Sequence, residues 1–331
     1  MRELTQEEEV VCRALETEEN LRVTGSMATM PGREHACELA LLSLRRQVDH
    51  LVLAHTTAGW SPGACARRLA NHVVDLSSAS VPGIAALRMQ DGSVVRVPTG
   101  FPMGDWAKMH SSCHPYDAKA QVVLRLTLDD DLIYPEDYVA VHRRAWLERI
   151  RRYGMAGARA FLSVHATRFL DLETTEYRDE KRWAQRNPAL SLKALRPMQA
   201  HVVGTGVMSV LDAHPWRSED ADVLIGIRGR EGDRIWTLHG CAYGTEENVA
   251  DLHIAAFAQK HRIPMQGIAT PKGGWIKTSL RPRAATIWSA GKDPASSQRA
   301  RERAVMARAL EFAGGKWQTF EVYQGEDAED A

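Results

Sequence analysis

Apolar and polar positions along this chain alternate between short β-rich runs and helix-period stretches, an order that predicts an α/β fold. Residues 4 to 20 are acidic and helix-favouring, and the first strand runs from Leu21 to Met27, closed by Pro31 and Gly32. A helix from Glu34 to about Arg46 carries apolar positions at Ala36, Leu39, Leu42 and Leu44. The strand His50-Leu-Val-Leu-Ala follows, and this βαβ unit implies a parallel sheet. A second helix is predicted around Cys65 to Val74, then a short strand near Ile84 to Leu87 and a glycine-punctuated segment reaching Gly104. Val122, Val123, Leu124, Leu126 and Leu128 form the pattern of a buried strand. A helix from Pro135 to Tyr153 and a strand from Ala160 to Val164 come next. The stretch from Asp171 to Asn187 is too charged for core and reads as a mobile loop beside a site. Ala200 to Val203 is a strand ending in Gly204-Thr205-Gly206, and Val223 to Ile227 is a further apolar run. Asn248 to Lys260 is an amphipathic helix with Val249, Leu252, Ala255 and Phe257 inward. Ser296 to Phe312 is an Arg- and Ala-rich helix, followed by a short strand-like piece and an acidic tail, Gly325 to Ala331.

The 331 residues are 44% hydrophobic, enough to bury a large core. Lysine plus arginine equals aspartate plus glutamate at 42 each, so no global field draws the protein to nucleic acid or an anionic membrane, although local patches stay open. The N-terminus is acidic (Glu3, Glu7, Glu8, Glu9) and lacks the apolar core of a secretory leader. No stretch approaches the length of a membrane span, so a cytoplasmic location is expected. The five cysteines (Cys12, Cys37, Cys65, Cys113, Cys241) contain no C-x-x-C pair, which argues against a disulfide framework and a structural zinc site. Cys113, with His110 and His114, is irregularly spaced and reads as loop.

The candidate chemistry is concentrated where the strand at 122–128 ends in Asp129-Asp130-Asp131. Ligands of α/β sheets sit beyond the carboxyl ends of their strands, so the triplet points at a crevice. In extended backbone Asp129 and Asp131 share one side and Asp130 faces the other, and two carboxylates on one side suit a divalent cation. The competing reading makes the triplet part of a helix start, with Pro135 as first helical residue and Glu136 and Asp137 at the positive helix end.

Four segments occur in fixed order: a first strand leading into Ala28-Thr29-Met30-Pro31-Gly32-Arg33; Gly104-Asp105-Trp106-Ala107-Lys108; Asp129-Asp130-Asp131 with Tyr134-Pro135; and Val203-Gly204-Thr205-Gly206 followed by Asn248-Val249-Ala250-Asp251. Together they resemble the bacterial GT-A type glycosyltransferases, close to the family-two inverting enzymes, over about residues 21 to 277. The resemblance implies a Rossmann-like, mixed and mostly parallel sheet flanked by helices. It makes residues 21–290 the GT-A domain, 1–20 an acidic helical extension, and 291–331 a basic helix with an acidic tail. It implies that Thr29, Pro31 and Arg33 hold base and ribose, that Asp105 and Lys108 lie near the nucleotide or its diphosphate, and that Asp131 is the direct metal ligand. Asp129 would touch ribose or the metal, with Asp130 beside them. The cation would be Mn²⁺ or Mg²⁺, and the donor a nucleoside-diphosphate sugar, a UDP-sugar first.

Asp251 matches the acidic position of the general base, with Glu246 and Glu247 as substitutes. Its simpler reading is a capping box with Asn248. Gly204, Thr205 and Gly206 would let backbone approach the donor sugar or acceptor. His165 and Trp275 match a histidine and an aromatic near the site, though each also reads as a core-edge residue. The resemblance departs in two ways: no histidine occurs after His261 to complete a metal shell, and the acidic triplet lacks the usual neutral spacer. The expected activity is metal-dependent, inverting sugar transfer to a saccharide or lipid-linked acceptor. A modified DNA base is an alternative acceptor, because Arg143, Arg144, Arg149, Arg151 and Arg152 crowd one helix and Arg299, Arg301, Arg303 and Arg308 another. Nucleotidyl transfer and non-catalytic nucleotide binding are the remaining readings.

Overall fold

The structure is a computed structural model that describes residues 2–55, 57–75, 83–88, 94–99, 108, 122–213, 249–279, 293 and 295–322, with 83–88, 94–99 and 212–213 as backbone only. Among the described residues the helices of four residues or more are α1 (Gln6–Thr17), α2 (Glu34–Leu44), α3 (Ala64–Leu69), α4 (Tyr138–Tyr153), α5 (Ala250–Lys260) and α6 (Ser297–Phe312), leaving aside short 3₁₀ turns. The main sheet takes β1 (Leu21–Thr29), β2 (His50–His55), β3 (His72–Asp75), β6 (Val122–Asp129), β8 (Phe161–Ser163), β11 (Met198–Gln199), β13 (Val207–Ala213) and β14 (Met265–Gly267). The smaller pieces are β4 (Gly83–Arg88) with β5 (Val94–Thr99), β7 (Leu132–Ile133) with β15 (Lys277–Thr278), and β10 (Trp183–Asn187), β9 (Ala166–Phe169) and β12 (Val202–Val203) in a three-stranded sheet.

The eight strands run in the order β11-β14-β8-β13-β6-β1-β2-β3. β6, β1, β2 and β3 are mutually parallel, β8 and β14 are parallel, and β13 runs antiparallel between β6 and β8. The protein is therefore α/β, with a large mixed, mostly parallel sheet flanked by helices. From β1 the chain winds outward through β2 and β3, then returns to place β6 on the other side of β1. That reversal makes the carboxyl ends of β1 and β6 a topological switch point, where α/β sheets open a crevice. In register, Asp129 lies opposite Ala28, one residue before the end of β1.

Helical faces explain the flanking layers. Thr5 and Glu8 form a reciprocal capping box at the start of α1, and Val11, Cys12 and Leu15 are buried. The acidic N-terminal helix is thus packed into the common core beside α4 rather than standing off as an extension. The same holds for α6, which buries Val305, Met306 and Ala309 against α5. α5 itself is buried on almost every side, not only at the inward positions expected. On α2 the buried stripe is Cys37, Ala40, Leu41 and Leu44, while Leu42 is exposed.

Several boundaries differ from the sequence pattern. The helix expected over 65–74 stops at Leu69, and its last residues are the edge strand β3. The strand near residue 84 pairs with β5 as a separate hairpin instead of joining the main sheet. Helix α4 starts at Tyr138, so Pro135 is not its first residue, and Asp137 at the cap makes no side-chain capping bond. The helix-start reading of the acidic triplet loses its geometric basis. The charged segment after Asp171 is not a loose loop: it ends in β10, and Arg178 forms a buried ion pair with Glu302 of α6. Among the described residues no strand follows Phe312; Trp317 is buried there and donates from Nε1 to Thr174 O (2.9 Å). The 223–227 run, Glu246, Glu247 and the tail from 325 lie outside the described residues. Among the described residues no helix is long and apolar enough to cross a membrane.

Candidate functional site

At the switch point the chain leaves β6 and turns at Asp130 and Asp131, which breaks the strand alternation expected for the triplet. Asp129 faces Lys108, with Nζ 2.6 Å from its Oδ1. Asp130 and Asp131 instead share Arg33, whose Nη1 lies 2.7 Å from Asp130 Oδ1 and 3.0 Å from Asp131 Oδ2. Thr29, the last residue of β1, donates its hydroxyl to Asp130 Oδ2 (2.9 Å). Asp130 is therefore a buried structural carboxylate that fixes Arg33 and the end of β1, while Asp129 and Asp131 remain partly exposed.

The 204–206 turn forms the opposite wall. Gly206 approaches so closely that a Cβ there would lie 1.8 Å from Asp129 Oδ2. Asp129 N donates to Tyr134 Oη (2.8 Å) and Gly206 O (3.1 Å), and the Tyr134 hydroxyl lies 2.9 Å from Gly206 O. Tyr134, to which the sequence pattern assigns no role, is thus the buried clasp between the two walls. Thr205 donates from both N and Oγ1 to Asp251 Oδ1, each at 2.7 Å. Asp251 does not cap its own helix; it bridges 46 residues to the turn, and Oδ2 has no hydrogen-bond partner among the described residues.

A substitution at Gly206 therefore acts on Asp129. Gly206→Ala is expected to fold, with a cost of about 1–3 kcal/mol from overpacking, and to reduce any ligand or metal response as strongly as Asp129→Ala does. Parallel thermal melts of the two variants test this, and a Gly206→Ala protein that responds like wild type would refute it.

The electrostatics follow from burial and like charge. Burial, and next the neighbouring Asp129, push Asp131 up to about 6. Asp130 is raised by burial although Arg33 opposes the shift, and Asp251 is raised by burial against the Thr205 donors. The folded chain thus holds the Asp131 proton up to about pH 6, whereas an unfolded aspartate loses it near about 4. Stability is expected to fall as pH rises through that window and level off above it, and Asp131→Asn to flatten the difference. Urea midpoints of both proteins across the window provide the measurement, and identical slopes would contradict it.

His165 lies against Gly204, and burial followed by the Arg186 charge lowers its pKa to about 3, so the ring is neutral. Arg186 approaches His165 Nε2 at 3.3 Å and stacks on Trp183 at 4.3 Å. Nothing in the sequence pattern marks Arg186, because the charged segment 171–187 that contains its strand reads as a loop. Along the same rim, His55 lies opposite Thr29 in register and Asp75 opposite His55, with His55 Nδ1 3.8 Å from Asp75 Oδ1. Trp60 meets the His55 ring edge-on at 5.4 Å.

Other expected residues lie elsewhere. Pro31 is exposed in the turn after β1. Trp275 is buried behind the site, donating to Asp137 Oδ1 (2.7 Å) and packing on Tyr138. Asp105 lies outside the described residues. Most of the arginines that suggested a basic face are engaged internally: Arg143 with Glu18, Arg151 with Glu16, and Arg299 and Arg303 with Glu176. Arg149 is buried, donating to Gly157 O, Gln266 and Glu321 O.

Among the described residues no group of three or more His, Cys, Asp or Glu side chains converges as a ready metal cage. The donor set still fits a hard divalent ion. Asp129, Asp130, Asp131 and Asp251 are four carboxylates gathered around Lys108 and Arg33, and Mg²⁺-like ions take one or two carboxylates and complete their shell with water and phosphate. No protein-family model matches the chain, and no curated protein matches it significantly.

Proposed function

We propose that the protein is a GT-A type glycosyltransferase, moving a sugar from a nucleoside diphosphate to an acceptor hydroxyl with inversion. The observation that carries the reading is that the Gly204–Gly206 turn holds Asp129 through Gly206 and Asp251 through Thr205, at the switch point of a mostly parallel sheet. Segments over a hundred residues apart in sequence are brought together by this fold, in the combination that the resemblance requires.

Asp129 and Asp131 would hold Mn²⁺ or Mg²⁺, which when bound supplies Lewis-acid stabilisation of the departing diphosphate. Arg33 and Lys108 adjoin the same carboxylates, so an entering diphosphate can draw their charges toward itself as the carboxylates take up the cation. Thr29, Arg33 and the His55–Asp75 rim lie where the nucleoside would rest. Asp251 is fixed through Oδ1 by two donors, which leaves Oδ2 to accept the proton of the acceptor hydroxyl. As the acceptor oxygen, losing that proton to Asp251, bonds to C1 of the sugar, the bond from C1 to the diphosphate breaks on the opposite face and the nucleoside diphosphate leaves. Neutral His165 and Arg186 border the acceptor side of the turn. A saccharide or lipid-linked acceptor is favoured over DNA, because the arginines that argued for a duplex are largely spent on internal partners.

The test is a thermal-shift comparison of UDP-, GDP-, dTDP- and CMP-sugars with and without Mn²⁺, on wild type and Asp131→Ala. A donor at a hundred times its Kd adds about 2.7 kcal/mol, a rise of roughly 5 °C in a chain of this size. One nucleotide series is expected to stabilise only with metal, and Asp131→Ala to abolish the response. Shifts identical in wild type and variant, or none with any donor, would sink the reading.

A further inference from the structure

The segment 188–195 stands apart from the carboxylate site and is closed at its base. Asn187 Nδ2 donates to Arg196 O (2.8 Å), and Leu195 bridges Thr270. Within it, Ser191 N donates to Pro188 O (3.0 Å) and Lys193 N donates to Ser191 Oγ (3.1 Å). The neighbouring 271–275 turn braces it from outside: Gly274 N donates to Ser191 O (2.6 Å), and a Cβ on Gly273 would lie 1.8 Å from Leu192 O. The two backbones are thus in close contact at the tip. Yet Leu192 is 90% exposed and Leu190 46%. A braced loop that holds leucines in water has a surface to meet.

Its charge says which one. Residues 187–200 and 267–279, joined by these bonds, contain Lys193, Arg196, Lys272 and Lys277 and no aspartate or glutamate. All four cations are exposed, and none has an acidic partner among the described residues. In a chain of zero formal net charge this is a local concentration of positive charge around an apolar tip.

We infer that the 188–195 loop docks on an anionic lipid bilayer, with Leu190 and Leu192 entering the boundary between headgroups and acyl chains. Lys193, Arg196, Lys272 and Lys277 meet lipid phosphates. The docked face is mechanically joined to the carboxylates. Strand β15, which carries Lys277, pairs with β7, and the residue after it donates from Ser279 N to Asp131 O (2.8 Å). Resting on the sugar-transfer reading, this selects a lipid-linked acceptor over a soluble one.

The experiment is co-sedimentation of the full chain with phosphatidylcholine vesicles, with and without a third of phosphatidylglycerol. It needs no donor, so its failure leaves the carboxylate reading standing. Wild type is expected to bind the mixed vesicles and not the neutral ones. Leu190→Ser with Leu192→Ser is expected to weaken binding at least roughly tenfold. Lys193→Glu with Arg196→Glu should do the same. All four side chains are surface groups, and matching thermal melts confirm intact folds. Absence of wild-type binding, or a leucine variant that binds equally well, would overturn the inference. So would light scattering that finds a dimer dissolved by Leu192→Ser, which would assign the loop to a second copy of the chain.

Discussion

Asp251→Asn is expected to lower sugar transfer by two to four orders of magnitude while leaving the metal-dependent donor shift in place. The asparagine carbonyl can still accept from Thr205 N and Oγ1, both 2.7 Å from the oxygen it replaces, so the turn keeps its anchor. What disappears is the second carboxylate oxygen, which the proposed reaction uses as proton acceptor. Steady-state rates with the donor identified by thermal shift, read beside that shift, separate the two effects. A variant with near-normal turnover would remove Asp251 from the chemistry. A variant that loses donor binding as well would make it a scaffold for the Gly204–Gly206 turn.

Arg178→Ala is expected to cost about 3–5 kcal/mol, because it strands a buried carboxylate. Arg178 and Glu302 are 6% and 4% exposed in their side chains, and Arg178 Nε lies 2.9 and 2.8 Å from the two carboxylate oxygens. Gln298 Nε2 supplies one further donor at 3.1 Å, too little to replace a guanidinium. The melting temperature should fall by roughly 10 °C. Replacing both partners, as Arg178→Met with Glu302→Leu, should recover most of the loss, since the penalty comes from the unpaired charge and not from the missing attraction. Calorimetry on the three variants decides, and a single variant within about 1 kcal/mol of wild type would show that water reaches Glu302. The pair matters for the site because it anchors the segment leading to β10, which carries Arg186.

Local signals gave the parallel core well. The βαβ pattern of residues 21–54 and the apolar run at 122–128 appear as β1, α2, β2 and β6, because a strand buried on both faces must be almost continuously apolar. The Asp triplet at the end of such a strand was legible for the same reason. The 171–187 segment was not. Its charges mark it as surface when each is counted alone, but in the fold Arg178 meets Glu302, Glu176 meets Arg299 and Arg303, and Arg186 stacks on Trp183. Opposite charges more than a hundred residues apart cancel only after the chain has folded.

The chain by itself therefore determined the fold class, the strand that ends in Asp129, and the residue types from which the site is built, because hydrophobic periodicity is a local property. Tertiary structure alone decided the roles within that site. The turn after β6 sends Asp130 to Thr29 and, with Asp131, to Arg33, and leaves Asp129 facing Lys108. The approach of Gly206 makes a missing side chain a requirement of Asp129, and Thr205 aims Asp251 across the crevice rather than into its own helix. Those are contacts between segments distant in sequence, and their geometry is set by the register of β1, β6 and β13.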